Sequence, residues 1–121
     1  MNDQAIEQEI QAKGKTAARV TPADLQANID GVYYFTAADG VQAAFADQDE
    51  LTRLTGVHGE LKLLTFCVLR LKNGFTVTGE SACASPENFD AEIGRKIARQ
   101  NAEQKIWPLM GYELRSKLAG G

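Results

Sequence analysis

At 121 residues the chain has room for one core but not for two of ordinary size. Its 44% hydrophobic and 24% charged residues are close to globular averages, which excludes a disordered or fibrous chain. The net charge of −3 conceals an asymmetry: residues 1–60 carry four basic and ten acidic side chains, residues 61–121 nine basic and six acidic. That polarity suits subunit complementarity or an anionic ligand on the second half. It lacks the dense basic stripe of a nucleic-acid footprint.

The longest apolar stretch, Leu61 to Leu71, is interrupted by Lys62 and Arg70, well short of the roughly 18 residues of a membrane span. Met1-Asn2-Asp3-Gln4 has no apolar run behind it, so no secretory signal is read and the cytoplasm is the expected location. Two cysteines, Cys67 and Cys83, support neither a disulfide framework nor a zinc cluster.

In chain order, residues 3–13 read as a short helix capped by Asn2 or Asp3, with Ile6 and Ile10 on one face and Gly14 as its stop. Thr21-Pro22-Ala23-Asp24 begins a second, with Thr21 as cap, Pro22 in the first turn, and Leu25 and Ile29 as its buried face. Val32 to Thr36 is aromatic and β-branched and reads as a strand closed by Asp39-Gly40. Asp47-Gln48-Asp49-Glu50 resembles a capping box ahead of Leu51 and Leu54, with Gly56 as stop.

Residues 61–72 form a predicted strand, Asn73-Gly74 a type I′ turn, and Phe75 to Ser81 the returning strand. A two-residue turn would set Arg70 opposite Val77 and Val68 opposite Gly79. Leu64, Phe66 and Val68 alternate with Leu63, Cys67 and Leu69, so both faces of the first strand are apolar and it should be central and covered on both sides. Ser85-Pro86 is the expected start of a long helix that stops at Trp107-Pro108, because proline disfavours helical geometry in the residue before it. Phe89, Ile93 and Ile97 make its apolar face. Gly94, Ala98 and Ala102 make a parallel row of small residues that admits a close backbone, on the sheet or on a symmetry mate. Met110, Leu114 and Leu118 suggest a final short helix. The fold class is α+β: a small antiparallel sheet with a central hairpin, packed by the long C-terminal helix and short N-terminal helices. The chain is read as a single domain, 1–121, with N-terminal helices in 1–30, strand and loop in 31–60, and the hairpin and helix unit in 61–121.

No catalytic constellation stands out. His58 is the only histidine and lies in a loop between Val57 and Gly59. Cys83 precedes the long helix, where a thiol pKa can fall, but has no obvious base beside it. Glu80, Glu87 and Asp90 place carboxylates near the hairpin end and helix start, where capping accounts for them as well as acid–base work does. No phosphate-binding glycine motif and no metal-ligand spacing is present. Candidate binding residues are Arg95, Lys96 and Arg99 on the basic helix face, Trp107 and Tyr112 around the helix break, and Glu80 and Ser81 at the hairpin end.

The strings LTFCVL, NGFTVTGES, SPENFDAEIGRKIA and QKIWPLMGYEL occur in that order, after ARVTPADLQANI and YYFTAADG. Together they resemble the small tailed-phage and prophage proteins of the gp forty-nine/gp sixty-six type, over most of the chain. The resemblance implies a phage-encoded accessory protein working in a bacterial host cell, in host takeover or counter-defence, and transfers no catalytic residue and no cofactor. Three functions follow as expectations. The first is a non-enzymatic binder, homo-oligomeric as a dimer, that occupies a host or defence protein. The second is an oligomer sequestering an anionic small molecule such as a signalling nucleotide. The third is a small enzyme using Cys83 or Glu80.

Overall fold

A computed structural model describes residues 2–45 and 58–120. The predicted capping box at 47–50 and helical turn to Gly56 lie outside the described residues. Helix α1 (Asp3–Ala12) is capped by Asn2, whose Oδ1 accepts from the Ala5 amide at 2.7 Å, and ends before Gly14 at φ +69°. Helix α2 (Pro22–Ala27) carries a full capping box: Thr21 Oγ1 accepts from the Asp24 amide while the Asp24 carboxylate accepts from the Thr21 amide. Hydrogen bonds from Thr21 to the carboxylate, from its backbone amide first and then its side chain, hold the Asp24 carboxyl below the usual carboxylate range.

Strand β1 (Ile29–Thr36) starts at Ile29, a position expected on the buried face of the preceding helix. Thr36-Ala37-Ala38-Asp39 then repeats the Thr21 device, with Thr36 Oγ1 accepting from the Asp39 amide at 3.1 Å and Asp39 Oδ2 accepting from the Thr36 amide at 2.9 Å. It opens helix α3 (Ala37–Phe45), so Asp39-Gly40 continues the chain as helix and does not form a turn. After a 3-10 turn (Gly59–Leu63), β2 (Leu64–Leu71) and β3 (Thr76–Ala82) complete an antiparallel sheet of order β1-β2-β3. The strand predicted from residue 61 therefore begins three residues later.

The hairpin turn differs from the predicted type I′. A type I′ turn needs positive φ at both central residues, and among the described residues only glycines have it, here Gly74 at +90°. The connection is a three-residue loop, Lys72-Asn73-Gly74. The Gly74 amide donates to the Leu71 carbonyl at 2.9 Å, the Leu71 amide to the Phe75 carbonyl at 2.8 Å, and Asn73 Oδ1 accepts from the Phe75 amide. This is a tight turn followed by a left-handed glycine. The extra residue moves the register by one, to Arg70 opposite Thr76, Leu69 opposite Val77 and Cys67 opposite Gly79. Such a slip decides which side chains share a face: Val77 and Gly79 now join Cys67, Leu69 and Leu71. Gly74→Ala should cost about 1–2 kcal/mol, because an L residue is held in a left-handed conformation. Urea unfolding checks this, and a loss near zero would refute the turn assignment.

The long helix begins later than predicted. Ser85-Pro86 opens only a 3-10 turn (Pro86–Asn88), and α4 (Ala91–Gln104) is capped by Asp90, whose Oδ1 accepts from the Ile93 amide at 3.0 Å. Its buried row is Gly94, Ala98 and Ala102, and it lies on β2 and β3, not on a symmetry mate. The predicted apolar face of Ile93 and Ile97 is 55% and 42% exposed. Close approach explains the exchange. A methyl group on Gly79 would lie 2.3 Å from the Ala102 nitrogen and the Ala98 carbonyl oxygen, so helix and strand backbones touch and only small residues fit between them. The helix turns at Lys105, and α5 (Ile106–Leu118) follows. Pro108 falls in the first turn of α5, where its missing N–H has no carbonyl to serve. The predicted stop at Trp107-Pro108 is thus a helix start, two residues after the break.

The core comprises Leu25, Cys67, Leu69, Leu71, Val77, Ala98, Ala102 and Ile106, with Ile29, Val32, Trp107 and Met110 against it. Burial pushes the Cys67 thiol up, as befits a small core hydrophobe. Gln26 and Glu103 join α2 to α4, with Arg99 bridging both: it donates to Gln26 Oε1 at 3.1 Å and Glu103 Oε2 at 3.3 Å.

Candidate functional site

Alternation along β2 sends Cys67, Leu69 and Leu71 to α4 and Leu64, Phe66 and Val68 to the opposite face. The β1 register adds Tyr33, opposite Val68, and Phe35, opposite Phe66; β3 adds Thr78 and Glu80. Tyr33 is 58% exposed and Phe35 40%, while Leu64, Phe66 and Val68 are half-buried. Phe35 and Phe66 stack across the strands with ring centroids 5.4 Å apart. Helix α3 approaches the Phe35 end of this face, where a methyl on Gly40 would sit 3.8 Å from the Phe35 ring. Among the described residues, α4 covers one face of β2, and α3 reaches the Phe35 end of the other. This second face, among the described residues, carries the exposed Tyr33 and Phe35 beside half-buried Leu64, Phe66 and Val68, bordered by the Asp30–Arg70 ion pair at 2.6 Å and by Glu80.

The candidate binding residues do not form one cluster, although Trp107 lines a cleft with Gln26 and Glu103, the partners of Arg99. Lys96 pairs with Glu92 at 3.3 Å on the exposed crest of α4, beside exposed Arg95. Arg99 is engaged by Glu103 and Gln26. Its burial would lower the guanidinium pKa, but hydrogen bonding with Glu103 and Tyr34 outweighs that and raises it. Trp107 turns toward α1: its Nε1 donates to Asp3 Oδ2 at 3.1 Å, and its ring helps line a cleft of about 320 Å³ with Ile6, Ile10, Val20 and Pro22. Beside that cleft Glu7, buried despite its charge, is held by Arg19, whose Nη1 donates to Oε2 at 2.7 Å. Tyr112 is exposed on α5. Ser81 points to the α4 side of β3 opposite Thr65, and Glu80 to the opposite face.

Cys83 Sγ donates to the Ser85 carbonyl at 3.2 Å. A hydrogen bond from Ser85 holds the Glu87 carboxyl below its ordinary range, and Asp90 is engaged as the α4 cap. These are the bonds of a local turn and a helix cap. His58 stands exposed at the start of the 3-10 turn. Among the described residues no group of three His, Cys, Asp or Glu side chains is placed to hold a metal ion, and no helix is long and apolar enough to cross a membrane.

The aromatic residues of the open sheet face, Tyr33, Phe35 and Phe66, were not candidates on sequence grounds. A signal was present: apolar residues on both faces of β2 require two covering layers, and the sequence names only one strong amphipathic helix. A model of the phage protein family of N4 Gp49 and phage Sf6 gene 66 matches residues 20–118. The chain belongs to that family. The matched span takes in the sheet, α4, α5 and the whole open face, while α1 precedes it. No curated protein and no solved structure matches the chain.

Proposed function

We propose that this phage protein is a non-enzymatic binder that acts in the cytoplasm of the bacterial host, occupying a host or defence protein with the open face of its sheet. The observation that carries the reading is the stacked Phe35–Phe66 pair beside exposed Tyr33, on a face that, among the described residues, α3 borders at one end. Aromatic side chains bring large apolar area at low entropic cost and dominate protein interfaces. An exposed cluster of them, rimmed by Asp30, Arg70 and Glu80, has the make-up of an interface core with a polar rim.

The test is affinity capture from host lysate with wild-type protein and with Tyr33→Asp. Tyr33 is largely exposed, so the substitution should leave the melting temperature within a few degrees. Retention of the captured protein should fall by about 30-fold, the equivalent of a 2 kcal/mol hot spot. Recovery of the bait alone, or a captured protein indifferent to Tyr33→Asp, would reject the assignment.

A further inference from the structure

The two edges of the sheet are unlike. On β1 the register shifts between Ile29 and Gly31, and the displaced Asp30 pairs with Arg70, which blunts that edge. Strand β3 runs in unbroken register against β2 and contains no proline and no lysine. Its outward groups follow from the hairpin bonds. The Phe75 carbonyl accepts from the Leu71 amide, so Phe75, Val77, Gly79 and Ser81 address β2, while Thr76, Thr78 and Glu80 turn their amides and carbonyls to the edge. Asn101 Nδ2 donates to the Glu80 carbonyl at 2.9 Å, closing that position. Among the described residues Thr76 and Thr78 keep both amide and carbonyl open, symmetric about Val77.

The same Asn101 contact orients α4. The helix strip that runs toward the β3 edge is Ile93, Ile97 and Asn101, at successive i+4 positions. Arg95, Lys96 and Arg99 lie off this strip, with Arg99 directed to Gln26 on α2. An open strand edge, with Glu80 toward one end, is thus bordered by two exposed isoleucines.

We propose that the protein forms a twofold dimer by antiparallel pairing of β3 with β3 of a second copy about Val77, with the Ile93–Ile97 strips of the two α4 helices meeting beside the seam. The occupant is a second copy because the edge is self-complementary. A twofold through Val77 sets Thr76 opposite Thr78 of the second copy, so each amide and carbonyl freed at these positions finds a partner. It also brings Glu80 toward the Lys72-containing turn of the second copy, so opposite charges approach. Because α4 lies over β2 and β3, the paired edges carry the two helices side by side, within the roughly 8–10 Å of packed helices. The strand seam alone is small; the helix pair supplies the rest of the roughly 1,000 Å² that a specific interface needs. The open aromatic face lies away from α4, so dimerisation doubles it and does not cover it.

Light scattering and sedimentation on the intact chain test this without any host partner, so the outcome is independent of the binding proposal. The wild type should show twice the 13.1 kDa chain mass in the submillimolar range. Thr78→Pro removes an edge amide that β2 does not use, a position where proline is tolerated in a strand, and should give a folded monomer. Ile97→Lys, on an exposed side chain, should do the same and decides the matter if the proline variant does not fold. In the wild type the Thr76 and Thr78 amides should exchange slowly with solvent, and in Ile97→Lys quickly. A monomeric wild type, a dimer that survives Ile97→Lys, or fast exchange at Thr76 and Thr78 within the dimer would each overturn the proposal.

Discussion

Gly79→Ala should abolish the cooperative unfolding transition or remove more than about 3 kcal/mol of stability, beyond the usual range for overpacking. The added carbon would sit 2.3 Å from the Ala102 nitrogen and the Ala98 carbonyl oxygen. Those are backbone atoms of α4, and no side-chain rotation can relieve the clash. The helix would have to lift from the sheet along its length, opening the contacts of Cys67, Leu69 and Val77 with Ala98 and Ala102. Gly94→Ala, in the same packed row, makes the comparison decisive. Its methyl would meet Thr65 Oγ1 at 3.1 Å, a side-chain atom that can shift by rotation. Alanine also gains about 1 kcal/mol of helix propensity over glycine. That variant should stay within about 1 kcal/mol of wild type. Equal losses in the two variants would show that the contact is not a backbone-on-backbone one.

Leu69→Ala should cost about 2–5 kcal/mol, since Leu69 is fully buried between the sheet and α4 and its removal leaves a cavity. Its neighbour Val68 points the other way, half-exposed between Tyr33 and Thr78. Val68→Ala should cost about 1 kcal/mol or less. It should nevertheless weaken capture of the host protein, whereas Leu69→Ala should act on capture only through the folded fraction. Denaturant melts of the two variants, read beside affinity capture, separate the structural face of β2 from the binding face. A Val68→Ala loss as large as that of Leu69→Ala would mean that the outer face is part of the core.

Much of the architecture is legible residue by residue. Thr21-Pro22-Ala23-Asp24, the small-residue row of α4 and the hairpin around Asn73-Gly74 each carry a local mechanism that tertiary packing left in place. Thr36-Ala37-Ala38-Asp39 carries the same capping signal as the Thr21 box and marks the start of α3. It is obscured by the strand-forming run before it and by Gly40 after it. The start of α4 is ambiguous for a related reason. Ser85 and Asp90 can both cap a helix, and the choice of Asp90 leaves Pro86 to a 3-10 turn. The register of the hairpin depends on one backbone angle at Asn73, which composition does not specify.

The outer sheet face and the β3 edge show where sequence pattern runs out. Period-two alternation marks both faces of β2 as apolar but says nothing of how many layers the chain has available to cover them. Ile93 and Ile97 have the spacing of a buried face. They are displaced from it because Gly79 lets α4 descend until its backbone touches β3, and at that distance only Gly94, Ala98 and Ala102 fit.

The existence of a long amphipathic helix in the C-terminal half, and of a hairpin turning at Asn73-Gly74 before it, is set by sequence alone, since caps, turn residues and hydrophobic period act over a few residues. Tertiary structure decided which side of that helix is buried, where it breaks, and which half of an apolar strand faces water. Those outcomes depend on the distance between two backbones and on the number of layers that meet, quantities set by packing between segments far apart in the chain.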